Sequence, residues 1–176
     1  MGLFSRKPKA PEIDMAVSEA NKKRLREIFN ETVTDGSSFT VLYGYSTTSK
    51  FEHGFIFNTN TTTYYEYIIG YRSSDSQIVL VQINWKQNIH SEAFYVDMGK
   101  VVDVSYTPKL CQVCLRYEKG YGPYGEILNI TDCSSRAIVG VTNLEQGTER
   151  EAFLDFLEGF RVKLEREGHS LEKWKR

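Results

Sequence analysis

Between residues 39 and 141 the chain returns again and again to one pattern, an apolar and often aromatic side chain at every second position. "FTVLYGY" puts Phe39, Val41, Tyr43 and Tyr45 on one side of an extended backbone. "FEHGFIF" does the same with Phe51, His53, Phe55 and Phe57, and "YYEYIIGY" with Tyr65, Tyr67, Ile69 and Tyr71. Side chains alternate between the two faces of a strand, so this period demands strands with one face toward a core. "IVLVQINW" is nearly all apolar and reads as a central strand. "EAFYV", "KVVDVSY", "LCQVCLRY", "EILNI" and "RAIVGV" follow, parted by turn-rich links such as "SSDS", "GYGPYG" and "TDCSS". The reading predicts seven to nine short strands in about a hundred residues. Short links make successive strands antiparallel, and that many strands imply a barrel or sandwich.

Helical spacing frames this region on both sides. Over residues 12–31, Val17, Ala20, Leu25, Ile28 and Phe29 share one side, with Lys22, Lys23, Arg24 and Arg26 expected to face away. "TDGSS" ends that segment. At "TERE" a capping box is expected, with Thr148 as N-cap and Glu151 reaching back. Phe153, Leu157, Phe160 and Leu164 then form one apolar stripe that needs a surface to cover, and Gly168 stops the helix. The fold class expected is α+β: a mainly antiparallel β-barrel or sandwich of about seven strands with a C-terminal amphipathic helix and an extra N-terminal helix. The domain reading is a flexible basic arm over 1–11, the N-terminal helix over 12–34, the barrel with its capping helix over 35–168, and a tail over 169–176.

Charge excludes rather than points. The net charge of -1 gives no overall pull toward nucleic acid or an anionic membrane. Basic residues gather only at the start, where Arg6, Lys7 and Lys9 form a candidate basic arm for weak contact with an anionic membrane. No apolar segment is expected to act as a secretory signal or to span a membrane. "MGLFSR" has its Ser at position 5, off the register of a myristoylation signal. With 3 cysteines, an odd number, a reducing, cytoplasmic setting is expected, and the sequons at Asn30, Asn60 and Asn129 carry little weight.

Motifs with chemistry are few. "KLCQVCLRY" holds the one C-x-x-C, but on a strand Cys111 and Cys114 point to opposite faces about 10 Å apart at ~3.3 Å per residue, too far for a disulfide. No second ligand pair accompanies them, so both are read as structural cysteines, and neither a metal nor a cofactor is expected. "EKGYGPYGE" is read as a hairpin tip, with Tyr121, Gly122, Pro123 and Tyr124 kept as a candidate contact loop. There is no G-x-S-x-G, H-E-x-x-H or D-x-D cluster, and Cys133, His90 and His53 are scattered, so no enzyme is expected. Glu66 and Asp103, lying within strand runs, are expected to face solvent. The aromatic strands lack interleaved Lys or Arg, so nucleic acid is not expected either.

The strands from "FTVLYGY" to "RAIVGV", followed by the helix "TEREAFLDFLEGFRVKL", resemble the pleckstrin-homology-like superfold, and "FYVDMGKVVDVSYTPKLCQVCLRY" is similar to its bacterial members. The resemblance rests on element order and spans about 130 residues. It implies a binding module whose loops at the barrel mouth or groove beside the helix take a ligand or peptide. Inositol-lipid-binding members carry spaced basic residues in the first hairpin; here "STTSKFEHG" offers only Lys50 and His53. The expected function is therefore a non-enzymatic interaction module for an as yet unknown protein partner, with weak membrane proximity and homo-oligomerisation left open. The alternative is a lipocalin-like barrel holding an apolar small molecule.

Overall fold

A computed structural model describes residues 12–53, 58–119, 125–130, 141, 143–172 and 174. Helix α1 (Met15–Thr32) begins where the Asp14 side chain accepts from the N–H groups of Ala16 (3.0 Å) and Val17 (3.1 Å), satisfying two of the donors that a helix start leaves open. Seven antiparallel strands follow: β1 (Thr40–His53), β2 (Asn58–Arg72), β3 (Gln77–Asn84), β4 (Ile89–Tyr95), β5 (Val101–Thr107), β6 (Gln112–Tyr117) and β7 (Gly125–Asn129). Helix α2 (Gly147–Arg166) comes last.

The strands form one sheet in the order β4-β3-β2-β1-β7-β6-β5, two meanders joined where β1 meets β7. Among the described residues that joint is a single register pair, Tyr45 with Asn129. β4 and β5 end the sheet, which does not close into a barrel. The period-two stretches "FTVLYGY" and the start of "FEHGFIF" prove to be one continuous strand, β1, paired with β2 from Thr40↔Tyr71 to His53↔Asn58. "STTSKFEH" is thus strand, and residues 54–57, which follow it, lie outside the described residues. So do the arm 1–11, the contact loop 121–124, and all of "RAIVGV" except Val141.

Two cores lie on opposite faces of the β1–β4 half. On one, Leu42, Ile69, Tyr71, Ile78 and Leu80 meet Val104, Val113, Leu115 and Leu128 of the second meander and Phe153, Leu154, Leu157, Phe160 and Leu164 of α2. The other gathers Leu25, Phe29 and Val33 from α1 and its end against Tyr43, Ile68, Val79, Val81 and Ile83. Strand β3 lies between the two cores, so Ile78, Val79, Leu80 and Val81 are all buried in succession. A strand covered on both faces has no polar side to show, which is why "IVLV" lacks alternation. The N-terminal helix therefore packs on this protein's own sheet.

Two helical expectations need correction. Along α1 the buried line is Ser18, Leu25 and Phe29, while Val17 is exposed. Ser18 turns inward because its hydroxyl accepts from the Glu145 N–H at 2.9 Å. The Thr148 capping box does not form: α2 starts one residue earlier, at Gly147, whose N–H is met by Glu145 Oε1 at 2.9 Å.

A tight point between α1 and the sheet is Phe29, the far end of whose ring abuts Gly70 of β2; any Cβ at Gly70 collides with that ring. Overpacking of this kind costs about 1–3 kcal/mol. Gly70→Ala is expected to destabilise the chain by that amount in urea melts. In a Phe29→Ala background, itself weakened by loss of the ring, the same change should cost almost nothing. Additive effects across the double-mutant cycle would show that the ring and the glycine do not share the space.

Candidate functional site

Among the described residues, three large exposed apolar side chains gather at the β4 end of the sheet. Every residue of β4 is at least partly exposed, and Ile89 (60%), Phe94 (53%) and Tyr95 (49%) present large apolar side chains to solvent. β4 pairs on one side with β3, with Leu80 opposite Phe94 and Val79 opposite Tyr95. The register shifts between Val81 and Ile83, where the Gln82 N–H turns to Ser91 Oγ at 3.2 Å. A shallow cleft of about 300 Å³ opens there, lined by Tyr67, Leu80, Gln82, Ser91 and Phe94. Its origin is topological: α2 and the second meander cover the inner face around β1 and β2 but leave its β4 margin bare. Sequence reasoning placed "EAFYV" among the strands but had no means to identify it as an edge.

The basic side chains of α1 do not form a free patch. Lys22 pairs with Glu149 of α2 at 2.8 Å and with Glu19 at 3.5 Å. Arg24 sits 4.3 Å over the Trp85 ring and donates to Asn88 Oδ1 at 2.5 Å. Arg26 donates to the Phe39 carbonyl at 2.7 Å, and burial lowers its pKa. The expectation that these four side chains point away holds only for Lys23, which is 79% exposed. The cleft of about 440 Å³ beside them is lined by Lys22, Arg26, Gln146 and Glu149, where Lys22 pairs with Glu149 and Arg26 with the Phe39 carbonyl.

Glu66 and Asp103, expected at the surface, are both buried, at 9% and 2% exposure. Each has a partner that removes the need for water. Glu66 Oε1 accepts from the Tyr43 hydroxyl at 3.1 Å. Burial first, and then the Glu66 carboxylate, push the Tyr43 phenol far above its ordinary pKa. Asp103 of β5 meets Arg161 of α2 at 3.3 Å and Arg116 of β6 at 3.2 Å. Arg161 also donates to the carbonyls of Val104 and Glu172. Arg161 falls within the apolar stripe of α2, so spacing alone does not reveal it as buried.

A third polar group holds the centre of the sheet. The Gln146 side chain accepts from the Tyr43 N–H and donates to the Tyr43 carbonyl, each at 2.9 Å. The Asn129 side chain donates to the Tyr45 carbonyl at 3.0 Å. Two side-chain amides thus supply hydrogen bonds along β1, where the described residues of β7 give one register pair. Nothing in the sequence distinguishes Gln146 or Asn129 from surface residues.

Cys111 and Cys114 are both free thiols. Cys111 lies in a turn with φ 50°, not on the strand, which starts at Gln112; Pro108–Leu110 form a short helical turn just before it. Cys114 is half-buried, and its thiol is held above the usual value by burial and then by Asp103. Among the described residues no cluster of three His, Cys, Asp or Glu side chains could hold a metal ion, and no helix is long and apolar enough to cross a membrane. Arg6, Lys7, Lys9, Tyr121, Gly122, Pro123, Tyr124 and Cys133 lie outside the described residues, as does the side chain of His53; His90 is exposed on β4 beside Thr32.

No protein-family model matches this chain, and neither a curated protein nor a solved structure shows significant similarity to it.

The buried Tyr43 phenol sets an alkaline limit. Its folded pKa lies above the unfolded value near 10, so its contribution is complete below about pH 10 and is lost as pH rises from there toward the folded pKa. Each proton released only by the unfolded chain costs about 1.4 kcal/mol per pH unit. Urea midpoints measured from about pH 9 to 11 are expected to fall more steeply for the native chain than for Tyr43→Phe. Parallel curves would place the sensitive phenol elsewhere.

Proposed function

We propose that this protein is a non-enzymatic, cytoplasmic interaction module with the element order of the pleckstrin-homology-like superfold, and that its β4 edge receives a protein partner. The observation that carries the reading is the run Ile89–Tyr95, an edge strand with three large apolar side chains in solvent and a shallow cleft on its inner side. Native sheets blunt their edges with charges, proline or a covering element. β4 carries the charge of Glu92 but otherwise offers a row of backbone groups flanked by Ile89, Phe94 and Tyr95. Extended segments bind such edges by adding a strand, with backbone hydrogen bonds for affinity and alternate side chains for choice.

The chemistry of β4 favours a different chain over a second copy. Two β4 strands paired antiparallel about their centre place Glu92 against Glu92, and like charges directly opposed destabilise a sheet. Membrane contact rests on Arg6, Lys7 and Lys9 alone, because Lys22, Arg24 and Arg26 are held within the fold. The lipocalin-like alternative has less support. The inner face of the sheet is filled by side chains of α2 and the second meander, leaving the surface clefts as the room for a ligand.

A photo-reactive phenylalanine analogue in place of Phe94 tests the reading in living cells, with the same analogue in place of Val162 on α2 as control. A defined protein adduct at position 94, lost on adding Ile89→Lys and Tyr95→Lys, is expected. Those surface changes should leave stability within about 0.5 kcal/mol. Position 94 yielding no adduct beyond the control would sink the edge reading.

A further inference from the structure

Along β4 the alternation of faces breaks once. His90 stands 3.4 Å from Thr32 at the end of α1, and Ala93 packs into the core beneath the same helix. Both therefore lie on the α1 face, although residues three apart on a regular strand point to opposite faces. The pairing shows why. Two steps along β3, Val81 to Ile83, are matched by three along β4, Ala93 to His90. That is a β-bulge, one extra residue on one strand of a pair, a device that re-aims side chains at sheet edges.

The extra residue leaves Gln82 facing both Ser91 and Glu92, and the Gln82 N–H turns to Ser91 Oγ at 3.2 Å. Ser91 and Glu92, lying between His90 and Ala93, both take the inner face, where Ser91 lines the cleft with Phe94. Ile89, paired with Asn84, and Phe94, paired with Leu80, share that face. Glu92 thus stands between two large exposed apolar side chains, two register steps along β3 from each. The carboxylate is exposed there, and the ion pairs among the described residues use other carboxylates.

A strand added at this edge takes water from the Glu92 carboxylate. A cation opposite it offsets that loss, whereas a second carboxylate adds repulsion. We infer that the β4 edge selects an extended segment of another protein with the pattern apolar-x-cation-x-apolar, the cation being Lys or Arg. Its three patterned side chains lie on one face of the added strand and meet Ile89, Glu92 and Phe94. The pattern reads the same in both directions, so it holds for a parallel or an antiparallel addition. The inference rests on the edge reading above and adds the sequence that the edge prefers.

The test follows the amide signals of Ile89–Tyr95 in the nitrogen-15-labelled full chain during titration with four capped heptapeptides. TVTRTVT carries the pattern, TVTQTVT and TVTETVT change its cation, and TSTRTST removes its apolar pair. TVTRTVT should half-saturate at a concentration about fivefold lower than TVTETVT, with TVTQTVT between them. TSTRTST should move nothing over the same range. In Glu92→Arg, an exposed change that leaves distant signals in place, the order of TVTRTVT and TVTETVT should reverse. Equal half-saturation by those two peptides, or an order that survives Glu92→Arg, would overturn the inference and leave the edge reading standing. Binding of TSTRTST as tight as that of TVTRTVT would reduce the effect to general charge attraction and overturn it as well. If no peptide moves the β4 signals at millimolar concentration the inference falls, and the adduct at position 94 decides the edge reading by itself.

Discussion

The arrangement depends on covering β2 and β3 from both sides. α1 presses Phe29 onto Gly70 from one face, while α2 and the second meander bring Phe153, Leu157 and Leu115 to the other. Burying a large apolar side chain is worth about 1.5–3 kcal/mol, and here two separate sets of them use opposite faces of the same strands. One consequence is that α1 is part of the folded unit. Another is that the sheet can remain unclosed, because its interior strands are covered by helices and by the second meander instead of by joining β4 to β5.

The price of an unclosed, two-part sheet is a weak seam at β1, and polar side chains reinforce it. Gln146 serves both backbone groups of Tyr43, and Asn129 serves Tyr45, around the single register pair between β1 and β7. Asp103 and Arg161 form a comparable buried pair between β5 and α2, with the exposed Arg116 of β6 reaching Asp103 from outside. Buried ion pairs of this sort add little net stability because desolvation offsets attraction, but losing one partner leaves an uncompensated charge. They therefore fix which surfaces meet more than how strongly they hold. Ser18 acts likewise between α1 and the segment that leads into α2.

The same openness leaves the sheet with two ends. β4 and β5 are the two ends of the sheet, and they are treated differently. β5 is covered by the chain's own tail, incompletely, whereas β4 keeps three large apolar side chains in solvent. The helical cations Arg24, Lys22 and Arg26 are turned inward onto Trp85, Glu149 and the Phe39 carbonyl.

How much of this was legible in the chain divides along the range of the forces involved. Period-two spacing shows which stretches are strands, and the stripe Phe153, Leu157, Phe160 and Leu164 marks the helix that covers them, because alternation and helical pitch are local properties of a backbone with one buried face. The unbroken run "IVLV" also indicates a strand enclosed on both sides. Spacing misplaced Glu66 and Asp103. A charged residue is buried only if a partner arrives, and those partners come from β1, α2 and β6, up to 58 residues away. It likewise gave Gln146 no role, since a side-chain amide earns one only by standing beside a strand that lacks a neighbour. The sequence by itself determined the elements and the faces they bury; only the tertiary structure decided which strand is an edge, which charges are enclosed and where the tail lies, because those depend on contacts between residues distant along the chain.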